Sequence, residues 1–246
     1  MAKKFQCNNS KNRTNYFCSF KMKSFLLYIL FISLSIGQLI SQERLQGGTL
    51  PALTISKELK KDWQLTSKIE NRLFFYDNSG LEKKTGLDYI HTDAAFIGSK
   101  KVGLSNQLSA GFQFRFGTVI EKRSIQQFNM VIDYYSFQLA HRFAADQTFA
   151  PNTPDSYRFR YRFTYNKPLS GNVINPKEFY IKIGFESLFI LEEDTQDLEF
   201  RATPTIGYNF KSSNKIELGL DYRTDGILIQ PSRQRYFVVL NYYVKI

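Results

Sequence analysis

The chain has 246 residues, with 33 Lys and Arg against 22 Asp and Glu, a formal charge of +11. Its hydrophobic content of 43% and aromatic content of 16% exclude a disordered polar chain. Only 2 His and 2 Cys are present, too few for a Cys/His zinc site or a multi-histidine metal centre, and no cofactor motif is seen.

The pattern begins with a polar stretch, residues 1–21, rich in Asn and Lys. It reads either as sequence ahead of a true start at Met22 or as a long basic leader. Residues 22–41 have the layout of a secretory signal peptide. Lys21 and Lys23 are the basic part, Phe25 to Ile36 the apolar core, and Ser35, Gly37 and Ser41 the small residues near a cleavage point after Gly37 or Ser41. The apolar run is shorter than the about 20 residues a transmembrane helix needs. No cysteine follows it, so a lipid anchor is not indicated. These first 41 residues hold Lys3, Lys4, Lys11, Arg13, Lys21 and Lys23, both cysteines (Cys7 and Cys18) and no acid. The remainder, 42–246, is expected to be a single domain with 27 bases against 22 acids. With no basic cluster left on a helix, nucleic acid is not an expected partner.

From about Leu50 onward the hydropathy period is two. The clearest case is Tyr157-Arg158-Phe159-Arg160-Tyr161-Arg162-Phe163-Thr164-Tyr165-Asn166. A strand puts its five rings on one face and its three arginines on the other. A helix would scatter the rings around its circumference. The same alternation predicts strands near 50–60, 63–76, 87–99, 102–117, 125–132, 136–149, 157–168, 178–191, 198–210, 215–224 and 234–246. Turn signals separate them, among them Lys60-Lys61-Asp62, Ser99-Lys100-Lys101, Ser170-Gly171-Asn172, Ser212-Ser213-Asn214 and Asp225-Gly226. Eleven segments result. Bacterial membrane barrels usually have an even number, so the expectation spans ten to twelve. The fold class read here is all-β, an antiparallel up-and-down transmembrane β-barrel.

Long strands, aromatic residues near strand ends and charges in mid-strand favour a membrane barrel over a soluble β-sandwich. The final strand reaches Ile246 without a polar tail, which points the same way. On that reading Lys68, Arg72, Arg115, Arg142, Arg158, Arg160, Arg162, Lys182, Arg201 and Arg223 face the lumen. Glu70, Asp146, Glu186, Glu199, Glu217 and Asp221 join them. They form either a basic pore for anions or an ion-pair network filling a narrow barrel. Arg158, Arg160 and Arg162 are the candidate site for a small anionic solute, since three guanidinia on one face can hold a phosphate or carboxylate.

A hydrolase would need Ser, His and an acid together. Ser136 and Asp146 flank His141, but parity places Asp146 on the opposite face from His141. His91 and Asp93 share a face without a nucleophile. No catalytic residue is assigned. Pro204 within a strand suggests a bulge or an edge. Glu192-Glu193-Asp194 reads as a solvated loop, with too few oxygens for calcium.

Several short motifs carry a family resemblance: Lys61-Asp62-Trp63-Gln64-Leu65, Glu70-Asn71-Arg72, Gln126-Gln127, His141-Arg142-Phe143 and Arg158-Phe159-Arg160-Tyr161-Arg162. Over about residues 50–246 the chain resembles the domain of unknown function 2490 family of Gram-negative outer-membrane barrels. Where that family often carries an acid and a further arginine after the His-Arg pair, this chain has Ala145-Asp146-Gln147. The resemblance implies an outer-membrane location and a barrel, and no activity. The expectation is a non-enzymatic outer-membrane barrel in contact with lipid, either a narrow channel or a structural component. A lipid-acting barrel enzyme and a soluble periplasmic barrel for an apolar ligand are the alternatives.

Overall fold

The computed structural model describes residues 44–246, apart from positions 81, 82, 152, 212 and 230. The signal-like segment 22–41 and the stretch 1–21 lie outside the described residues.

Eleven strands follow in chain order: β1 Arg44–Glu58, β2 Trp63–Asp77, β3 Lys84–Val102, β4 Asn106–Phe116, β5 Ile120–Asp133, β6 Gln138–Phe149, β7 Ser156–Pro168, β8 Glu178–Glu192, β9 Thr195–Lys211, β10 Asn214–Asp225 and β11 Arg233–Lys245. Each pairs antiparallel with the next, and β1 pairs with β11 to close the barrel. An odd meander returns its last strand in the direction of its first. Closure is therefore parallel, in an unbroken register from Arg44↔Arg233 to Ser56↔Lys245. The rule of even strand number gives way here, and eleven is the number among the described residues.

Alternation decides the two faces. Along β11, Phe237 and Val239 are buried while Tyr236, Val238 and Leu240 are exposed. Large apolar side chains cover the outside, among them Phe112, Phe159, Phe185, Ile206 and Leu218. Charged and polar side chains are buried inside, including Arg123, Asp146, Glu186, Glu217 and Arg223. The barrel thus reverses the polarity of a water-soluble sheet. One small apolar cluster interrupts the polar interior: Leu50, Phe74, Phe237 and Val239, with Ile90 packed against it.

Several boundaries differ from the sequence pattern. Lys100 and Lys101 belong to β3, and the turn is Gly103 to Ser105, where Gly103 takes a φ of +77 that favours glycine. Lys100 Nζ sits 5.7 Å from the centre of the Trp63 ring, its register partner. β5 starts at Ile120 rather than 125, because Glu121 and Arg123 turn inward and Lys122 outward, which hides the apolar alternation there. Pro204 is at neither a bulge nor an edge. β9 is paired on both sides, and its ladder to β10 goes from Ala202↔Tyr222 to Thr205↔Gly219 with the register unshifted, Thr203 and Pro204 having no partner in it. A proline N has no hydrogen to give to that ladder. Glu193 and Asp194 form the two-residue connection between β8 and β9, both exposed.

Candidate functional site: the charged barrel interior

The registers carry inward side chains around the wall in continuous rungs. One rung runs Asn129↔Arg142↔Arg162↔Glu186↔Arg201↔Arg223↔Arg235↔Gln46 from β5 through β11 to β1. Another runs Glu121↔Arg115↔Asp93↔Glu70↔Ala52↔Asn241↔Glu217 from β5 back through β1 to β10. Neighbours on a rung are close enough for their long side chains to meet.

Ion pairs follow these rungs. Arg115 reaches Asp93 with two nitrogens, at 2.8 and 3.1 Å, and Glu121 at 3.2 Å. Arg158 Nη2 donates to Asp146 at 3.0 Å, and Arg160 donates to the same oxygen. Glu186 accepts from Arg162 with one oxygen and from Arg201 at 3.1 Å with the other. Arg201 also donates to Glu199 at 2.7 Å, and Arg223 to Asp221 at 2.5 Å. Lys182, Tyr180 and Tyr243 all converge on the Glu217 carboxylate. Buried charges are tolerable when paired in this way, and removing one partner is costly.

The interior is asymmetric along its axis. Toward the turns that follow the even-numbered strands it is filled. Leu188, Phe237 and Asp146 are there at 0, 1 and 1% exposure. Phe237 stacks on Phe74 at 5.7 Å, with Arg72 and Arg223 guanidinia 5.4 and 5.1 Å from its centre. The connection after β10 is tied across this end: the amides of Gly226 and Leu228 donate to Asp197 at 2.8 and 3.3 Å. Arg235 bridges Asp225 and Glu199 at 2.6 and 3.3 Å.

Toward the turns that follow the odd-numbered strands a cavity of about 680 Å³ remains. Its upper wall is polar and uncharged, with Ser56, Gln64, Thr66, Ser99, Gln107 and Asn241. Its lower wall is charged. Eleven Lys and Arg line it against four acids, Glu70, Asp93, Glu186 and Asp221. An eight-stranded barrel is filled by its own side chains, and the three further strands account for this room.

The ten lumen bases read from the sequence all line this cavity, as do Glu70, Glu186 and Asp221. Asp146, Glu199 and Glu217 are buried inside but behind its wall. Arg158, Arg160 and Arg162 share the inner face, yet two acids divide them: Asp146 takes Arg158 and Arg160, and Glu186 takes Arg162. Arg123, Asp197, Asp225 and Arg235 are interior charges that the sequence reading omitted. Parity from Phe237 or Ile125 would have found Arg235 and Arg123, had those apolar residues been read as inward. His141 faces outward, with Nδ1 2.9 Å from the Tyr161 hydroxyl, while Asp146 faces inward. Ser136 lies in the connection between β5 and β6. The three are not brought together. His91 Nε2 is 3.8 Å from Asp93 on the inner face. Among the described residues no group of three His, Cys, Asp or Glu could hold a metal.

An up-and-down closed barrel, apolar outside and ion-paired inside, is the class of protein that this fold and interior define. The chain belongs to the family described as a protein of unknown function (DUF2490), matched over residues 47–226, from β1 to the end of β10. That match ends twenty residues short of the span expected from the motifs, leaving β11 outside it. No curated protein and no solved structure matches the chain.

Proposed function

We propose that this chain is a small, non-enzymatic outer-membrane β-barrel of a Gram-negative bacterium, a membrane-embedded structural component or at most a narrow conduit. One observation carries the reading: the rings and aliphatic side chains are exposed on the outside of a closed barrel whose charges are inside. A belt of that kind is too large for the surface of a water-soluble monomer and suits lipid. The strands, 11 to 19 residues long, exceed the about 9–11 residues that cross a bilayer at a tilt. The signal-like segment 22–41 supports export. The filled end favours a structural component over an open pore. The interior is charged, which does not suit an apolar ligand, and Ser136, His141 and Asp146 stand apart, which gives a lipid-acting enzyme no visible centre.

The test is fractionation of the expressed protein, with gel mobility compared before and after boiling. The reading expects recovery in the outer membrane and a band that shifts on boiling. Recovery in the soluble periplasm without detergent would overturn it.

A further inference from the structure

Among the described residues most interior cations are held by acids, but in one adjacent pair of arginines only one member is. Arg142 on β6 and Arg162 on β7 are direct register partners. Their Cβ atoms therefore lie about 4.5–5.5 Å apart on the same inner face, where like charges repel. Arg142 gives Nε to Asn129 Oδ1 at 2.6 Å and has no acid within 4.0 Å among the described residues. Arg162 gives Nε to Glu186 and makes no other hydrogen bond among the described residues. Among the described residues the terminal nitrogens of both guanidinia have no protein acceptor. Both side chains are open to the cavity. Arg142 is exposed, and the Arg162 side chain is 39% exposed, against 14% for Arg158 and 20% for Arg160.

We propose that the Arg142–Arg162 pair is the binding site for a small soluble oxyanion bearing phosphate or carboxylate groups. Two planar guanidinia side by side match the oxygens of such a group by paired charge-assisted hydrogen bonds. An anion between them removes the repulsion that the register imposes. The excess of cations over acids in the cavity wall draws it in. The site is inside the barrel, so a lipid headgroup still held in a leaflet does not reach it, and the ligand comes from solution at the cavity end. This inference rests on the barrel interior and not on the membrane reading, so either can fail alone.

The experiment is calorimetric titration of the full chain, folded in detergent at low ionic strength, with inorganic phosphate, succinate and chloride in separate arms. Phosphate or succinate should bind more tightly than chloride. Arg142→Gln and Arg162→Gln should each weaken that binding roughly ten- to a hundredfold, the scale of a lost hydrogen bond to a charged group. Arg142→Lys should fall between, keeping the charge but losing the fork. Lys122→Gln, the same charge change on the outer face, should not alter it. Thermal melting reads the same site independently. Without phosphate, Arg142→Gln should melt no lower than the parent, and phosphate should raise the parent's melting point but not the variant's. Equal retention of all three anions, or an affinity for phosphate unchanged in Arg142→Gln, would overturn the proposal. So would a loss in Lys122→Gln as large as that in Arg142→Gln.

Discussion

Asp146 shows what a single residue does in this interior. It is 1% exposed and accepts from both Arg158 and Arg160. Replacing it with Asn keeps the shape and removes the charge that offsets two guanidinia. Breaking a buried pair by deleting one partner costs about 3–5 kcal/mol. Asp146→Asn is therefore expected to lower the unfolding free energy of the detergent-folded protein by an amount in that range, with a correspondingly lower denaturant midpoint read by near-ultraviolet circular dichroism. An unchanged midpoint would mean that water in the cavity screens the pair. The sequence shows Asp146 and the three arginines to be on inward positions. It does not show that two of those arginines share one carboxylate, because Asp146 sits on the preceding strand and the choice among near neighbours is made by side-chain reach.

At the scale of elements, the wall depends on side chains that cross a strand. Tyr180 on β8 lies over its register partner Gly207 on β9 and donates to Glu217 on β10 at 2.9 Å. A Cβ at Gly207 would come within 2.1 Å of the Tyr180 ring. Overpacking of this kind costs about 1–3 kcal/mol. Gly207→Ala should lose that much stability and displace Tyr180 from Glu217. Gly98→Ala is the control, since a Cβ there meets only a carbonyl oxygen at 3.9 Å, and it should leave stability within about 0.5 kcal/mol. Measuring both by the same unfolding curve separates the ring's role from the general effect of glycine replacement. The glycine itself was visible in the sequence; the ring over it was not, because Tyr180 and Gly207 are 27 positions apart and meet only through the β8–β9 register.

At the scale of the whole molecule, the parallel seam between β1 and β11 is what makes eleven strands a closed wall. Thr49 and Val238 are partners across it, and the Thr49 hydroxyl donates to the Val238 carbonyl at 3.1 Å. With Cys7 and Cys18 changed to Ser, the pair Thr49→Cys and Val238→Cys should cross-link by oxidation or a short bifunctional reagent. Thr49→Cys with Leu220→Cys, one strand further on, should not. The reverse outcome would place β1 against β10 and restore an even barrel.

The sequence by itself determined the class of element and which residues share a face, since a strand's period of two is written in neighbouring residues, while it left the strand number between ten and twelve. It also marked the ten lumen bases by that parity, from Lys68 on β2 to Arg223 on β10. The tertiary structure decided what lies beyond one strand. It settled that β1 meets β11 in parallel and that the inner face near Phe237 and Val239 is itself apolar. It also sorted the cations into those held by acids, such as Arg158 and Arg160, and those left open to the cavity, such as Arg142. The physical reason is separation: Arg115 finds Asp93 and Lys182 finds Glu217 across 22 and 35 positions of chain, and only register brings such charges within hydrogen-bond reach.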